Sequence, residues 1–407
     1  LFPGWSSLSF STMKEKKVKQ NEHSFAVSGT RKTTLQLEFD DGCRMSINII
    51  PSGAEKTTES TSVRRPTASS TKVRRLSSKE QPREQLIEWA ERIVATPHRE
   101  LAEVFVNELE EYTAPNARFV ESTKKHRCSD LPCLEKNRVI LQTRPGRHNF
   151  IHANRLRFAT GVEFLVTQAP MEETLEDFWR MCFAERVRVV AMLCGFEEGE
   201  NSVAVYVPPS VGGVAAFGPF RVRTLERVEP SGLLAQHKEL FHVKRLEVKY
   251  KTQTAHILHA RMHGWPPQLA PPSPESVLHF WSWLKSNSGS RPIAVHCMSG
   301  VDRAMTLPAL ELASHRIATD ADIDLADVVR DLRAMRHGAV VSHYAYLHLH
   351  VLLLTLAISR PCSPTLKENV RKFITKYQEH VVRKLSKLEE PEHRRSRNRR
   401  KAREHRI

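Results

Sequence analysis

The chain has 407 residues, with 62 lysines and arginines against 46 aspartates and glutamates, a formal net charge of +16. That length suits one large α/β domain with extensions. Seven scattered cysteines, with neither paired nor metal-ligand spacing, exclude a disulfide framework and point to a reducing compartment. The longest apolar run, residues 351–358, is too short for a bilayer span, and the first residues lack the basic and apolar regions of a signal peptide. The expectation is a chain that is neither secreted nor membrane-spanning.

In chain order, residues 1–80 read as a basic, mostly disordered tail rich in Ser, Thr, Lys and Arg. One exception stands out. Leu35-Gln36-Leu37-Glu38-Phe39, then Asp41-Gly42, then Met45-Ser46-Ile47-Asn48-Ile49, are two alternating runs around a turn dipeptide and predict a β-hairpin. Arg64-Arg65-Pro66-Thr67 and Arg74-Arg75-Leu76-Ser77 read either as basophilic kinase sites or as solvated linker. Between residues 85 and 111, apolar residues recur near helical spacing and Pro97 interrupts them. Two helices are expected, with Pro97 opening the second.

Residues 81–360 are taken as the folded domain. Strand-like and helix-like stretches alternate through it, the signature of a mixed sheet flanked by helices. Residues 361–407 form a third, basic segment: a candidate amphipathic helix over 366–388, Glu390-Pro391, then an arginine-rich run from His393 to Arg403. Such a run suits acidic surfaces or a nuclear import receptor, or merely solubilises the chain. No aromatics interleave with it, so no specific nucleic acid is expected. The expected location is the cytoplasm, or the nucleus through this run.

The chemistry concentrates in Val295-His296-Cys297-Met298-Ser299-Gly300-Val301-Asp302-Arg303. Cys297 and Arg303 are separated by five residues, between a strand-like stretch and a helix-like one. Backbone N–H groups in such a loop converge on one point, and the helix N-terminus adds positive potential. That field favours a thiolate. A guanidinium at the far end can grip two phosphate oxygens. The expected chemistry is attack of the Cys297 thiolate on a phosphate ester. Met298, Ser299, Gly300, Val301, Asp302 and Arg303 would hold the phosphate, and His296 would support the loop. No cofactor or metal is expected. The blander reading makes Cys297 a small buried apolar residue.

From about residue 100 to about residue 357 the chain resembles the protein tyrosine phosphatase domain. Lys136-Asn137-Arg138 resembles the start of that family's phosphotyrosine loop. Phe150-Ile151-His152-Ala153-Asn154 resembles its Tyr-Ile-Asn-Ala-Asn element. Phe164-Leu165-Val166-Thr167-Gln168-Ala169-Pro170, Asp177-Phe178-Trp179-Arg180-Met181 and Val189-Val190-Ala191-Met192-Leu193 follow the family pattern. Trp265-Pro266-Pro267 stands at the mobile Trp-Pro-Asp loop, and residues 333–346 at the glutamine-bearing loop. The resemblance implies the protein tyrosine phosphatase fold, a highly twisted mixed sheet flanked by helices, and as partner a phosphorylated protein, above all a phosphotyrosine protein, or another signalling protein.

The departures fall on the chemistry. Pro267 stands where the family has its general acid, a loss of about 10²- to 10⁴-fold in rate, or roughly 3 to 5.5 kcal/mol. Ala304 replaces a hydroxyl residue, and Val341 and Ala345 replace the two glutamines. Val139 replaces the tyrosine that walls the phosphotyrosine pocket, and Leu141 an aspartate that anchors the peptide. Glu197 matches the glutamate on the loop arginine. Asp302 replaces a glycine. A carboxylate about 4 Å from a phosphate charge would repel it by roughly 4 kcal/mol at an effective dielectric near 20, and a side chain there is expected to strain the loop. Alternatively, Asp302 is a relocated acid, as in similar phosphoinositide phosphatases. Pro308, early in the following helix, is expected to disturb the cradle. Three readings result: an impaired phosphatase that binds phosphoproteins, an active cysteine phosphatase acting on phosphotyrosine or phosphoinositides, and a scaffold without a phosphate site.

Overall fold

The structure is a computed structural model and describes residues 33–38, 44–49, 81–121, 124–142, 148–196, 198, 203–267, 269, 271 and 273–389. The expected kinase sites and the arginine-rich run lie outside these residues, as does Glu197. The chain divides into two units, residues 1–71 and 72–407.

In the first unit, β1 (Thr33–Glu38) and β2 (Arg44–Ile49) pair antiparallel with Leu35 opposite Ile47, the hairpin read from the alternating runs.

The second unit opens with α1 (Gln81–Ala95). Leu86, Trp89, Ala90 and Ile93 are its buried stripe, at the three-and-four spacing of an amphipathic helix. Pro97 then serves as N-cap of α2 (His98–Val104), which runs into a π-helical turn, Phe105–Leu109. The sheet strands follow: β3 (Arg138–Ile140), β4 (Phe150–Arg157), β5 (Glu163–Gln168). After α3 (Leu175–Ala184) come β6 (Val189–Met192), β7 (Val214–Phe217), β8 (Phe220–Val228), β9 (Phe241–Tyr250) and β10 (Gln253–Met262). Next are α4 (Pro274–Ser288), β11 (Ile293–Cys297), α5 (Arg303–Ile317), α6 (Leu325–Met335), α7 (His343–Ile358) and α8 (Pro364–Glu389).

The nine strands of this unit lie in the order β3-β4-β5-β11-β6-β10-β9-β8-β7. The centre, β5-β11-β6-β10, is parallel and both wings are antiparallel. β5, β6 and β11 are buried along nearly their whole length, which explains their continuous apolar runs. α4 and α5 pack on β11, and α3 packs on β4, β7 and β8. The mixed sheet flanked by helices matches the sequence expectation.

α5 continues through Pro308, which is buried inside the helix. The amphipathic helix expected over 366–388 is α8, and its apolar side, Leu366, Val370, Phe373, Tyr377 and Val381, packs on α1, α2 and α7.

Candidate functional site

β11 ends at Cys297 and α5 begins at Arg303, so residues 298–302 make a tight turn at the carboxyl end of the central strand. This is where open α/β sheets commonly carry ligands. The Gly300 N–H donates to Cys297 Sγ at 3.3 Å, an inward-turned amide on the candidate nucleophile. Gly300 has φ +74°, and a Cβ there would stand 2.3 Å from the Thr167 carbonyl oxygen, so the turn requires glycine. Main-chain bonds seat the loop on its neighbours: the Ala169 N–H donates to the Met298 carbonyl at 2.9 Å, and the Val340 N–H to the Val301 carbonyl at 2.9 Å.

A buried arginine holds the loop from beneath. Arg336 Nε donates to the Gly300 carbonyl at 2.5 Å and Nη2 to the Ser299 carbonyl at 3.1 Å. Its Nη1 reaches Asn154 Oδ1 at 2.8 Å, and Nη2 lies 3.3 Å from His152 Nδ1. Burial pushes the Arg336 pKa down to about 10. Arg333 binds the next segment in the same way, donating to the Ala339 and Val340 carbonyls at 2.9 Å each. The sequence reading placed both arginines in a matched segment but gave neither a role.

Arg303 is fixed at the other end of the loop. Its Nη1 donates to the Trp265 carbonyl at 2.8 Å and to Glu198 Oε2 at 3.0 Å, while Nη2 bonds Glu198 Oε1. This is a two-toothed carboxylate clamp. Burial opposes the charge, but Glu198 prevails and the guanidinium pKa is raised. The sequence expectation for this role is Glu197, which lies outside the described residues; among the described residues the carboxylate on Arg303 is its neighbour Glu198.

His296 is wholly buried behind Cys297. Its Nε2 lies 2.6 Å from the Tyr206 hydroxyl, whose oxygen is 2.7 Å from His259 Nε2. The hydroxyl can donate to one ring and accept from the other. Burial pushes the His296 pKa down to about 3, so the ring is neutral. Tyr206 and His259 were not singled out in the sequence, where nothing marks two distant residues as partners of one ring.

The sequence model of the protein-tyrosine phosphatase family matches residues 122–355. The chain belongs to the protein-tyrosine phosphatase family. Its curated relatives include mouse tyrosine-protein phosphatase non-receptor type 13, 27% identical over 239 residues that cover 58% of this chain and 9% of that protein. Mouse tyrosine-protein phosphatase non-receptor type 7 is 28% identical over 223 residues, covering 53% of this chain and 58% of that protein. The tyrosine phosphatase-like protein J1 of Microplitis demolitor bracovirus is 27% identical over 267 residues, covering 60% of this chain and 84% of that protein. The match thus spans only 9% and 58% of the type 13 and type 7 relatives. The fold agrees with the catalytic domain of human protein tyrosine phosphatase non-receptor type 18 at a TM-score of 0.54 and 23% identity, over 67% of this chain and 99% of that one. A second solved structure, PTPN18 in complex with HER2-pY1248 phosphopeptides, has a TM-score of 0.52 at 24% identity, over 57% of this chain and 87% of that one.

Around the phosphatase loop, the substituted positions are placed as follows. Pro267 is exposed, two residues beyond the Trp265 carbonyl that docks on Arg303. Ala304 is buried in the first turn of α5. Val341 follows Val340, whose φ is +57°, and Ala345 lies in the first turn of α7, where its N–H is capped by Ser342 Oγ at 3.2 Å. None of these four side chains can give or take a proton or orient a water by hydrogen bonding. Val139 and Leu141 are buried as ordinary core residues.

Asp302 has φ −101° and ψ −99°, outside the left-handed region that favours glycine. Its charge acts on α8. Burial, then Asp302, raises the pKa of Tyr377. Burial lowers that of Lys384 while Asp302 opposes the shift. Lys384 Nζ also lies 4.0 Å from the centre of the Tyr344 ring. The carboxylate that would repel phosphate therefore sits within the field of a lysine from the C-terminal helix.

Proposed function

We propose that this domain binds phosphorylated protein, with phosphotyrosine as the favoured group, and that its hydrolysis is impaired. The observation that carries the reading is the clamped Arg303 facing a loop whose Gly300 amide points at Cys297, beside Pro267, Ala304, Val341 and Ala345. The phosphotyrosine class comes from the family, and from PTPN18, a solved relative in fold that is complexed with phosphopeptides.

In a working enzyme of this kind, the thiolate attacks phosphorus and the ester oxygen leaves with the bonding electron pair. A water then attacks phosphorus and the P–S bond breaks. Here no carboxylic acid stands at residue 267 to protonate the leaving oxygen, and no amide at 341 or 345 orients the water. Binding needs only the amides and the guanidinium.

The test is a titration with a phosphotyrosine peptide, against its unphosphorylated form, of the parent chain, Cys297→Ser and Arg303→Ala. Saturable binding that survives Cys297→Ser and weakens about 100-fold in Arg303→Ala supports the proposal. Binding indifferent to phosphate or to Arg303 establishes the scaffold reading instead. Phosphoinositide turnover lost in Asp302→Asn would establish the relocated acid.

A further inference from the structure

A second basic site lies at the opposite end of the parallel strands from Cys297. A groove of about 1140 Å³ is lined there by Arg186 and Arg188 before β6, Arg291 before β11, and Arg180 and Arg245. Arg291 precedes Cys297 by six residues along an extended strand, a separation of roughly 20 Å. The groove is therefore distinct from the cradle.

Its charge is lopsided. Among the described residues, five arginines and His256 face one carboxylate, Glu176. Arg180 is paired with Asp177 at 3.0 Å and Arg245 with Glu226 at 2.6 Å. Arg186, Arg188 and Arg291 are exposed, and none has an ion-pair partner among the described residues. Arg186 follows α3 with φ +53°, a helix-end position that glycine or asparagine normally takes. The floor is aromatic: Phe220 stacks on Tyr250 at 4.9 Å, and Phe183 lies 5.8 Å from Phe220.

The groove also exposes a strand edge. β10 pairs with β9 from Gln253 to Met262, but its pairing with β6 begins only at Leu258, opposite Val189. The Leu258 N–H points to the β6 side, donating to the Arg188 carbonyl at 2.8 Å. Strand periodicity of two turns the main-chain groups of His256 and Thr254 to that same side, where no strand of the sheet meets them. Both residues line the groove.

We propose that this groove binds an extended acidic polypeptide, which adds a short strand to the open edge of β10 and sets its carboxylates on Arg186, Arg188 and Arg291. The strand edge supplies main-chain hydrogen bonds, the mode by which exposed sheet edges capture peptides. The arginines select acidic side chains, and the aromatic floor takes an apolar side chain between them. The size exceeds the range of drug-sized sites and suits several residues of a peptide. The chain's own tails are the wrong occupant, because residues 57–79 and 393–403 are basic.

The test uses the full chain and a fluorescein-labelled peptide of about twelve residues alternating glutamate and tyrosine. One variant carries R186E, R188E and R291E. A charge-matched control carries R221E, R223E and R227E on exposed positions of β8. The proposal expects the groove variant to weaken binding at least about tenfold and the control less than about threefold. Equal losses in the two variants would reduce the effect to net charge and overturn it. A second measurement needs no variant: methylating alternate peptide amides should abolish binding to the parent chain, and unchanged affinity would overturn the strand-addition geometry. An oligonucleotide or an anionic vesicle that competes as strongly as the parent peptide, with the same dependence on the three arginines, would overturn the choice of a polypeptide. Arg303→Ala should leave this binding unchanged, which separates the groove from the cradle.

Discussion

The loop of residues 297–303 and the two segments that border it have been kept to different standards. The loop is held by Arg336 on two carbonyls, by Glu198 and Trp265 on Arg303, and by main-chain bonds from Ala169 and Val340. The bordering segments keep their backbone roles, since Trp265 still docks on Arg303 and Val340 still meets Val301, yet their chemical side chains are Pro267, Val341 and Ala345. Structural support and proton handling are separable properties of the site. On the proposed function, phosphate binding draws on the first and hydrolysis on the second.

The harshest way to break the comparison is Gly300→Ala. The new methyl would stand 2.3 Å from the Thr167 carbonyl oxygen at a positive φ. A loss of about 3 kcal/mol or more of stability is expected, read from the denaturant midpoint. Arg336→Ala should come close to it, because Gly300, Ser299 and Asn154 lose a buried donor. If either variant kept full stability, the loop would not be the rigid half described.

A smaller effect should follow from Glu198→Gln. Arg303 would keep the Trp265 carbonyl but lose its carboxylate. Phosphopeptide affinity should fall about tenfold, and the melting temperature should drop as well, because the buried guanidinium loses its counter-charge. An unaltered affinity would show that Glu198 does not aim the guanidinium.

Acid should reach the support before the loop's main-chain bonds fail. Burial lowers His152, His296 and His348 to about 3 and His350 to about 4, from 6.5. The unfolded chain therefore binds more protons between those values and 6.5. Stability is full above pH 6.5 and falls as the pH drops through that window, by at most about 1.4 kcal/mol per histidine per pH unit. Denaturant midpoints at pH 7 and 5.5 check this, and a flat profile would contradict it.

The smallest effect expected is from Lys384→Ala, which removes a cation coupled electrostatically to Asp302. Phosphopeptide binding should weaken about two- to fivefold, more at low salt than at high. A gain in affinity would show that α8 shields the cradle instead of balancing Asp302.

Much of this was legible in the sequence because it is local. Alternating runs gave the hairpin, alternating strand-like and helix-like stretches gave the mixed sheet flanked by helices, and the spacing of Cys297 and Arg303 gave the loop between β11 and α5. What escaped is long-range. Tyr206, His259 and His296 meet through three separate stretches of chain. Arg336 acts on a loop 36 residues away. Glu198 meets Arg303 from 105 residues away. The packing of α8 hides in a stripe of five apolar residues within a segment whose charge dominates its reading.

The most direct measurement is the release of p-nitrophenolate from p-nitrophenyl phosphate in large excess over the chain, with the chain concentrated enough for a single equivalent to be read. That leaving group needs little help from an acid, so the assay reports mainly on breakdown of the phosphocysteine. The account predicts that release stops at or below about one equivalent per chain. Steady release through many equivalents, abolished by Cys297→Ser, would contradict it.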